Sequence, residues 1–578
     1  MKKNSLQKVL AVTMAGAMAA GTLTACGNSG SSDASSSAAA FSSAAESSAE
    51  ASTTAGSDAA AADDGATGID SWEAFADNVT LKVPVYDRGA EGVPDVTNNY
   101  WTQWVQENFG DKYNVTVEYV PITRSDVMTD YALLASSNSL PTILMEYDYP
   151  KTSQWANDGY LTTFDMDEFA KVAPTYYARM VEQNQLDYSV MDGDTYFVLA
   201  ERPYSATSYN WQTFVRMDWL EQVGYDHVPM TREEYLDAMQ KIMDAGICDH
   251  PGGGSKLAGS GIDQNQGWRT FPLDEKEWAM YGDYNIVSMS WEPNKLLLKA
   301  ANEEYNLGIT NPEYYVTDAE TAKANFVNGN QYSYGMYINQ SADVLKSLWE
   351  NQPDAKLAIV PADASYANAP AWRSDNPFGM IVGFSSSATE DEIKAAWMYM
   401  EWLNQPENLF TLQWGIEGEN FNYNDEGLPV SVSDYDGEYK QGYSYSADYY
   451  CIVTSARNAG TIEQIIANSF PQDFDQSAEL TQEVIDYYYK RVELAKEGYA
   501  TVDCMFSTVI DAEAEYRDTL VSKYVEYRDK LTMCDPSEFD SLYDQYAQEY
   551  LDAGYQEVID ERAQAYEDGK TTKLPANN

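Results

Sequence analysis

The chain is 578 residues long and carries 36 Lys+Arg against 91 Asp+Glu, a formal net charge of −55. That balance repels nucleic acid, anionic lipid and phosphorylated ligands over most of the surface, and no run of Lys or Arg marks a local exception. Only His227 and His250 are present, so Ser-His-Asp or Cys-His catalysis would have to draw on one of these two.

Lys2, Lys3 and Lys8 precede a weakly apolar run, Val9 to Gly21, and then Leu23-Thr-Ala-Cys26. A basic start, a short apolar stretch and small residues before a cut describe an export signal. The run falls short of the roughly 20 apolar residues that a bilayer span needs. Leu23–Cys26 resembles the bacterial lipobox, in which the cysteine thiol receives a diacylglyceryl group before cleavage. Residues 1–26 are therefore expected to be a lipoprotein signal, with Cys26 lipidated and the mature chain held on the extracytoplasmic face of the cell membrane. An ordinary cleaved signal with an incidental cysteine is the alternative. Residues 27–70 are Ser, Ala, Gly, Thr and Asp with little apolar bulk, which predicts a disordered linker. As a flexible coil it would reach about 35 Å.

About 510 residues remain, enough for at least two lobes. Val79–Val85 predicts a strand ending in a polar loop, Tyr86–Gly92. Trp101, Trp104, Val105 and Phe109 recur at helical spacing, and Gly110 is expected to stop that helix. A strand at Val115–Val120, a helix from Ser125-Asp126 through Leu134 and a buried strand at Pro141–Met145 follow, opening into the loop Glu146–Pro150. Strand, helix, strand, helix, strand is a parallel α/β pattern, and in such sheets ligands gather beyond the carboxyl ends of the strands. His227 reads as part of a turn between helices, and His250 as part of a loop before Pro251. Asn420–Gly427 echoes a calcium loop but has its glycine at the eighth position, so it reads as a turn. Apolar residues at three and four predict helices over 478–496, 510–530 and 539–559. Cys248, Cys451, Cys504 and Cys534 permit three full pairings or none, and the sequence leaves that open.

The order of several short segments resembles family 1 extracellular solute-binding proteins. Leu134–Leu144 looks like their helix-to-strand passage and Trp155–Leu161 like the next helix. Met191-Asp-Gly193-Asp-Thr-Tyr196 is similar to the strand pair that leads to the first crossing between lobes, and Phe214–Gly224 to the start of the second lobe. Phe326-Val-Asn-Gly329, Phe378–Ser385 and Trp414-Gly-Ile-Glu-Gly418 resemble a late turn, a returning hinge strand and a glycine motif. The nearest likeness is to the lipoprotein branch that serves carbohydrate-type ABC transporters. The resemblance implies an α/β, two-lobed periplasmic-binding-protein-like fold with hinge strands and a mostly helical C-terminal region. Lobe 1 is expected at 71–203 plus about 377–432, and lobe 2 at 204–376 plus about 433–578. Crossings are expected near Glu201–Ser205 and Pro377–Val382.

The resemblance also implies capture of a sugar or oligosaccharide between the lobes and its delivery to ABC-transporter permease subunits. Aromatic faces stack on the C–H faces of a pyranose while Asp and Arg hydrogen-bond its hydroxyls. Candidate ligand contacts are Asp87 and Arg88 after the first strand, and Tyr147, Asp148 and Tyr149 after the third. Arg202 and Tyr204 lie by the first crossing, Trp268 and Arg269 follow a polar loop, and Tyr337, Trp372 and Arg373 come from second-lobe segments expected to face the cleft. No catalytic residue, metal or cofactor is assigned. A lipid-anchored glycan-active enzyme is the rival reading, but carboxylate pairs suited to a glycosidase arise by chance among 91 acidic residues. A peptide or another polar solute is the other open ligand class. An adhesin would show repeats, and none is found.

Overall fold

Val79–Asp87 (β1) and Val115–Thr123 (β2) pair in parallel, Val79 opposite Val115 and Asp87 opposite Thr123. The computed structural model describes residues 67–572 except 90–91, 203–208, 257–274, 283–285, 339–340, 365–371, 374–375, 433–434, 443–444, 455–456, 458, 471–475, 498–499 and 502–503. A parallel pair needs a crossover. Here it is Tyr100–Val105 (α1), a π turn over Gln106–Gly110, and Asp111–Tyr113 (α2). Asn99 starts it with a capping box, accepting from the Trp101 and Thr102 N–H groups. The stop expected at Gly110 is absent, because this glycine serves close packing. A Cβ there would stand 2.6 Å from the Val115 carbonyl oxygen, which accepts a hydrogen bond from Gln106 Nε2. Asn114, at φ 58°, ends the helix instead.

Val127–Ser136 (α3) leads back to Ile143–Glu146 (β3). β3 runs beside β1 in the same direction: the Lys82 N–H donates to Thr142 Oγ1 at one end, and Tyr86 reaches Met145 and Glu146 at the other. Tyr149–Asn157 (α4), Met166–Val172 (α5) and Pro174–Glu182 (α6) follow. Then come the small hairpin Val190–Met191 (β4) and Asp194–Thr195 (β5), and Phe197–Leu199 (β6).

After the first crossing, Trp211–Arg216 (β7) is followed by the helices Met217–Gln222 (α7), Arg232–Asp244 (α8), Glu275–Tyr281 (α9), Glu292–Asn306 (α10) and Ala319–Val327 (α11). Ser333–Tyr337 (β8), Ala342–Asn351 (α12) and Leu357–Ile359 (β9) complete an antiparallel sheet in the order β8-β7-β9. Successive residues of β7 serve opposite faces. Phe214 packs with Leu345, Ile466 and Val484, whereas Val215 packs with Met239 and Ile242 of α8.

Trp372–Arg373 (β10) lies on the way back, and Ile381–Phe384 (β11) then pairs antiparallel with both β3 and β6. The parallel reading of the first three strands thus holds for direction. The hydrogen-bonded neighbour of β3, however, is the returning strand. Glu390–Leu403 (α13) and Pro406–Trp414 (α14) precede the hairpin Phe421–Tyr423 (β12) and Pro429–Ser431 (β13). Asn420–Gly427 supplies its turn, where Asn424 Oδ1 accepts from the Glu426 and Leu428 N–H groups. Ala447–Tyr450 (α15) comes next, and residues 447–453 are buried in the same core as β1, β3, β6 and β11. Residues 447–453, expected in lobe 2, thus share a core with the first strands.

Ile462–Ser469 (α16) and Ser477–Lys496 (α17) pack on the second-lobe sheet. Ala500–Thr501 (β14) pairs in parallel with β10. Asp511–Met533 (α18), Phe539–Tyr550 (α19) and Gln556–Glu567 (α20) pack against α9 and α10. The single helix expected over 539–559 is broken at a π turn, Leu551–Tyr555, where Gly554 sits at φ 117° against the Tyr516 ring. Among the described residues no helix is long and apolar enough to cross a membrane.

Candidate functional site

The carboxyl ends of β1, β2 and β3 bring Tyr86, Arg88, Arg124, Glu146 and Tyr147 together. Glu146 is only 2% exposed, and its Oε2 lies 3.7 Å from Arg124 Nη1 and 3.4 Å from the Tyr86 hydroxyl. Its Oε1 accepts the Tyr147 backbone N–H. The Arg124 guanidinium stands 4.9 Å from the Tyr86 ring centroid and 6.0 Å from that of Tyr147. Arg88 makes a two-pronged ion pair with Asp448 of α15, at 3.2 Å from Nε and 2.8 Å from Nη2. The Asp448 side chain is 1% exposed, so this pair ties the late segment of the lobe to the end of β1.

Burial, reinforced by Glu146, raises the Tyr86 hydroxyl well above the ordinary phenol value. Burial also raises the Tyr147 hydroxyl, with Cys451 and Asp448 adding to it. Both phenols stay protonated at neutral pH, but Tyr86 is 0% exposed and its hydroxyl is directed at Met145 and Glu146, so of the two only the part-buried Tyr147 can face a solute. The edge thus offers the Tyr147 ring and its neutral hydroxyl beside arginines already matched to carboxylates, a set suited to a polar, uncharged solute.

The expected residues are not all in that cluster. Asp87 is exposed and accepts the Gly89 N–H. Asp148 caps α4 by accepting the Lys151 N–H, pairs with Lys151 Nζ at 3.3 Å, and lies 3.9 Å from Arg517 Nη2 of α18. Tyr149 is 2% exposed and packs among Tyr188, Phe197 and Phe378, so its ring belongs to the core and not to a cleft wall. Arg202 is partly buried on the first crossing. Tyr204, Trp268 and Arg269 lie outside the described residues. Trp372 and Arg373 form β10, whose backbone lies on the second crossing beside β14.

Tyr337 ends β8 directly opposite Trp211, the first residue of β7, with ring centroids 4.9 Å apart at 84°. Trp211 is 47% exposed, and Gly335 makes room for its indole: a Cβ there would come within 2.9 Å of the ring. Sequence reasoning missed Trp211, although its place at the first strand after a crossing was a usable signal. It also missed Arg124, which follows β2 as Arg88 follows β1. Asp448 had no signal, because its segment read as second-lobe.

Other polar groups lie elsewhere. His250 Nδ1 is 2.7 Å from the Gly308 carbonyl oxygen, and His227 pairs with Asp226 on the α7–α8 connection. Cys248, Cys451, Cys504 and Cys534 are not joined in disulfides. Among the described residues no cluster of His, Cys, Asp or Glu is arranged to hold a metal ion. A pocket of about 330 Å³ between β9 and α17 contains none of the expected residues.

Residues 94–409 match the family model for bacterial extracellular solute-binding proteins, over more than half of the chain. The protein belongs to that family. Its two-lobed fold is shared with solved structures of low sequence identity. An HMO-binding, ABC-transporter-associated solute-binding protein from Bifidobacterium longum infantis is similar at TM-score 0.58 and 12% identity, covering 85% of this chain and 99% of that one. An extracellular solute-binding protein from Bifidobacterium longum subsp. infantis gives 0.57 at 15% identity, covering 86% and 100%. The N-glycan transport solute-binding protein of Streptococcus pneumoniae gives 0.51 at 14% identity, covering 85% and 99%. No curated protein matches the chain.

Proposed function

We propose that the protein is a lipid-anchored receptor that captures a sugar or oligosaccharide between its lobes and hands it to the permease of an ABC transporter. The observation that carries the reading is the ring-and-arginine cluster at the ends of β1–β3: Tyr147 beside Arg88 and Arg124, set over the buried Tyr86 ring, with both arginines matched to carboxylates. Trp211 and Tyr337 offer a second aromatic surface beside the first crossing. Family membership and the sugar ligands named for several structural relatives support the same class of solute. Hinge closure over the ligand would present a closed form to the permease. Leu23–Cys26 supplies the anchor in this reading, and no catalytic residue or cofactor takes part.

The test is calorimetry of the purified protein against a panel of neutral oligosaccharides. A stacked ring contributes about 0.5–1.5 kcal/mol beyond area burial, and 1.4 kcal/mol is one decade of affinity. Tyr147→Ala and Trp211→Ala should each weaken the best ligand about tenfold. Wild-type affinity in both variants would move the site elsewhere, and turnover of the bound glycan would overturn the receptor reading. Separately, Cys26→Ser should shift the protein from the membrane fraction to the medium. Retention at the parental level would remove the anchor.

A further inference from the structure

The segment from Cys504 to Ile510 is sandwiched between two bodies. Cys504, Phe506 and Ile510 pack with Trp278, Ala279 and Trp291 of the α9–α10 region. Met505 is buried in the first-lobe core, and Val509 packs against that core. Side chains divide between the two bodies over Cys504–Phe506 and again, after a bend at Ser507-Thr508, over Val509 and Ile510, so this one stretch has one face on each body. The α9–α10 region is itself fastened to the second lobe, where Arg232 of α8 pairs with Glu303 and Glu304 of α10.

The end of the chain returns to the same place. Phe506 bridges Thr571 antiparallel, the Ser507 N–H donates to the Lys570 carbonyl oxygen, and the Thr572 N–H donates to that of Met505. This short ladder grips the tip of the β4–β5 hairpin in the first lobe. The Asp192 N–H donates to the Ser507 carbonyl oxygen at 2.7 Å, Thr508 Oγ1 donates to Asp192 Oδ2, and Lys570 Nζ pairs with Asp192 Oδ1 at 3.0 Å. Asp192 and Gly193 turn the hairpin at positive φ, which leaves that N–H pointing outward from the β4–β5 ladder. Just upstream, β14 runs along the second crossing through its pairing with β10.

We propose that residues 504–510 and 570–572 form a clasp between the first lobe and the C-terminal helices carried by the second, and that this clasp limits how far the lobes swing apart. It is a noncovalent tie added to the covalent crossings, held by the buried Met505 with Val509 beside it, the Asp192 backbone hydrogen bond, the Thr508–Asp192 hydrogen bond and the exposed Lys570–Asp192 ion pair. The exposed Lys570–Asp192 pair contributes little, since water and salt screen it. Met505 is therefore the strongest single hold.

The inference does not depend on the ligand, so its test uses the ligand-free full chain carrying Cys26→Ser for solubility. Met505→Ala should raise amide exchange at 190–196 and 505–508 about tenfold or more, with β1–β2 and β7–β9 unchanged. Small-angle scattering of the same variant should show a broader distance distribution and a larger radius of gyration than the parent. The surface variant D192N/K570A should move both readouts in the same direction by a smaller amount, and it decides the matter if Met505→Ala does not fold. Unchanged exchange would show that these contacts do not hold the hairpin. Raised exchange with an unchanged scattering profile would show that they do not restrain the lobes. Either result overturns the proposal.

Discussion

At the scale of single residues, the Arg88–Asp448 pair shows how a ligand-type side chain can also hold the fold. Its carboxylate is buried, so removing only the guanidinium leaves a charge that water cannot reach. Arg88→Ala is expected to cost about 3 kcal/mol in urea unfolding, toward the low end for such pairs because Arg88 keeps 21% of its side chain exposed. A loss below about 0.5 kcal/mol, the scale of an exposed pair, would contradict this account. Asp148 needs the same care. It caps α4, so Asp148→Ala mixes any loss of binding with about 1 kcal/mol of lost capping. Asp148→Asn keeps the cap and isolates the charge. The strand-end positions of Arg88 and Tyr147 were legible in the sequence, because alternation and turn residues locate strand ends. The inward turn of Tyr149 was not: three consecutive polar-tipped residues look alike until α4 begins and fixes which of them faces the core.

At the scale of elements, the helix between β1 and β2 was legible from its apolar spacing, whereas its end was not. Glycine ordinarily marks a helix stop, but Gly110 lies inside the helix, where Val115 and the Gln106 side chain come too close for a Cβ. Gly110→Ala would gain about 1 kcal/mol of helix propensity. It would also displace Gln106 from the Val115 carbonyl and the Val117 N–H, an overpacking cost of about 1–3 kcal/mol. The net expectation is a lower melting temperature, and a higher one would show that Gln106 yields freely. Gly554 is the converse case: the helix was expected to run through it, yet at φ 117° it breaks the helix, and the Tyr516 ring that lies against it is distant in sequence. A second element-scale effect lies where α17 meets β9. Glu483 accepts the Ile359 N–H, yet burial, with Glu479 and Asp486 nearby, raises its carboxyl to about 7. A carboxyl raised on folding binds its proton more tightly in the native state. Its stabilising contribution is therefore full below the ordinary value of 4.5 and is lost as pH climbs from there through about 7. Glu483→Gln keeps an acceptor for Ile359 and removes the titration. It should flatten the fall in melting temperature across that window and raise stability at pH 8, and an unchanged pH profile would contradict the assignment.

At the scale of the whole molecule, two lobes followed from chain length and from the order of short family-like segments. The last division, expected near 432, was less legible, because residues 447–453 read as part of the second lobe whereas they pack in the core of the first strands. The Glu201 N–H donates to the Val453 carbonyl oxygen, and Ile466 of α16 lies in the second-lobe core. The charge of −55 acts on this entire assembly. Like charges held close in the folded state repel one another, and unfolding relieves the strain. Salt also weakens the ion pairs, but most of those here have exposed partners and contribute about 0–1 kcal/mol each. The repulsion extends over many more pairs of charges than the bridges do, so screening should favour the native state. Raising sodium chloride from about 0.02 M to 0.5 M shortens the screening length from roughly 20 Å to about 4 Å. The melting temperature should rise by several degrees over that range, most steeply below about 0.15 M where the screening length changes fastest. A flat or falling curve would mean that attractive pairs outweigh the net repulsion, and that the acidic surface is organised into networks instead of being a diffuse, mutually repelling shell.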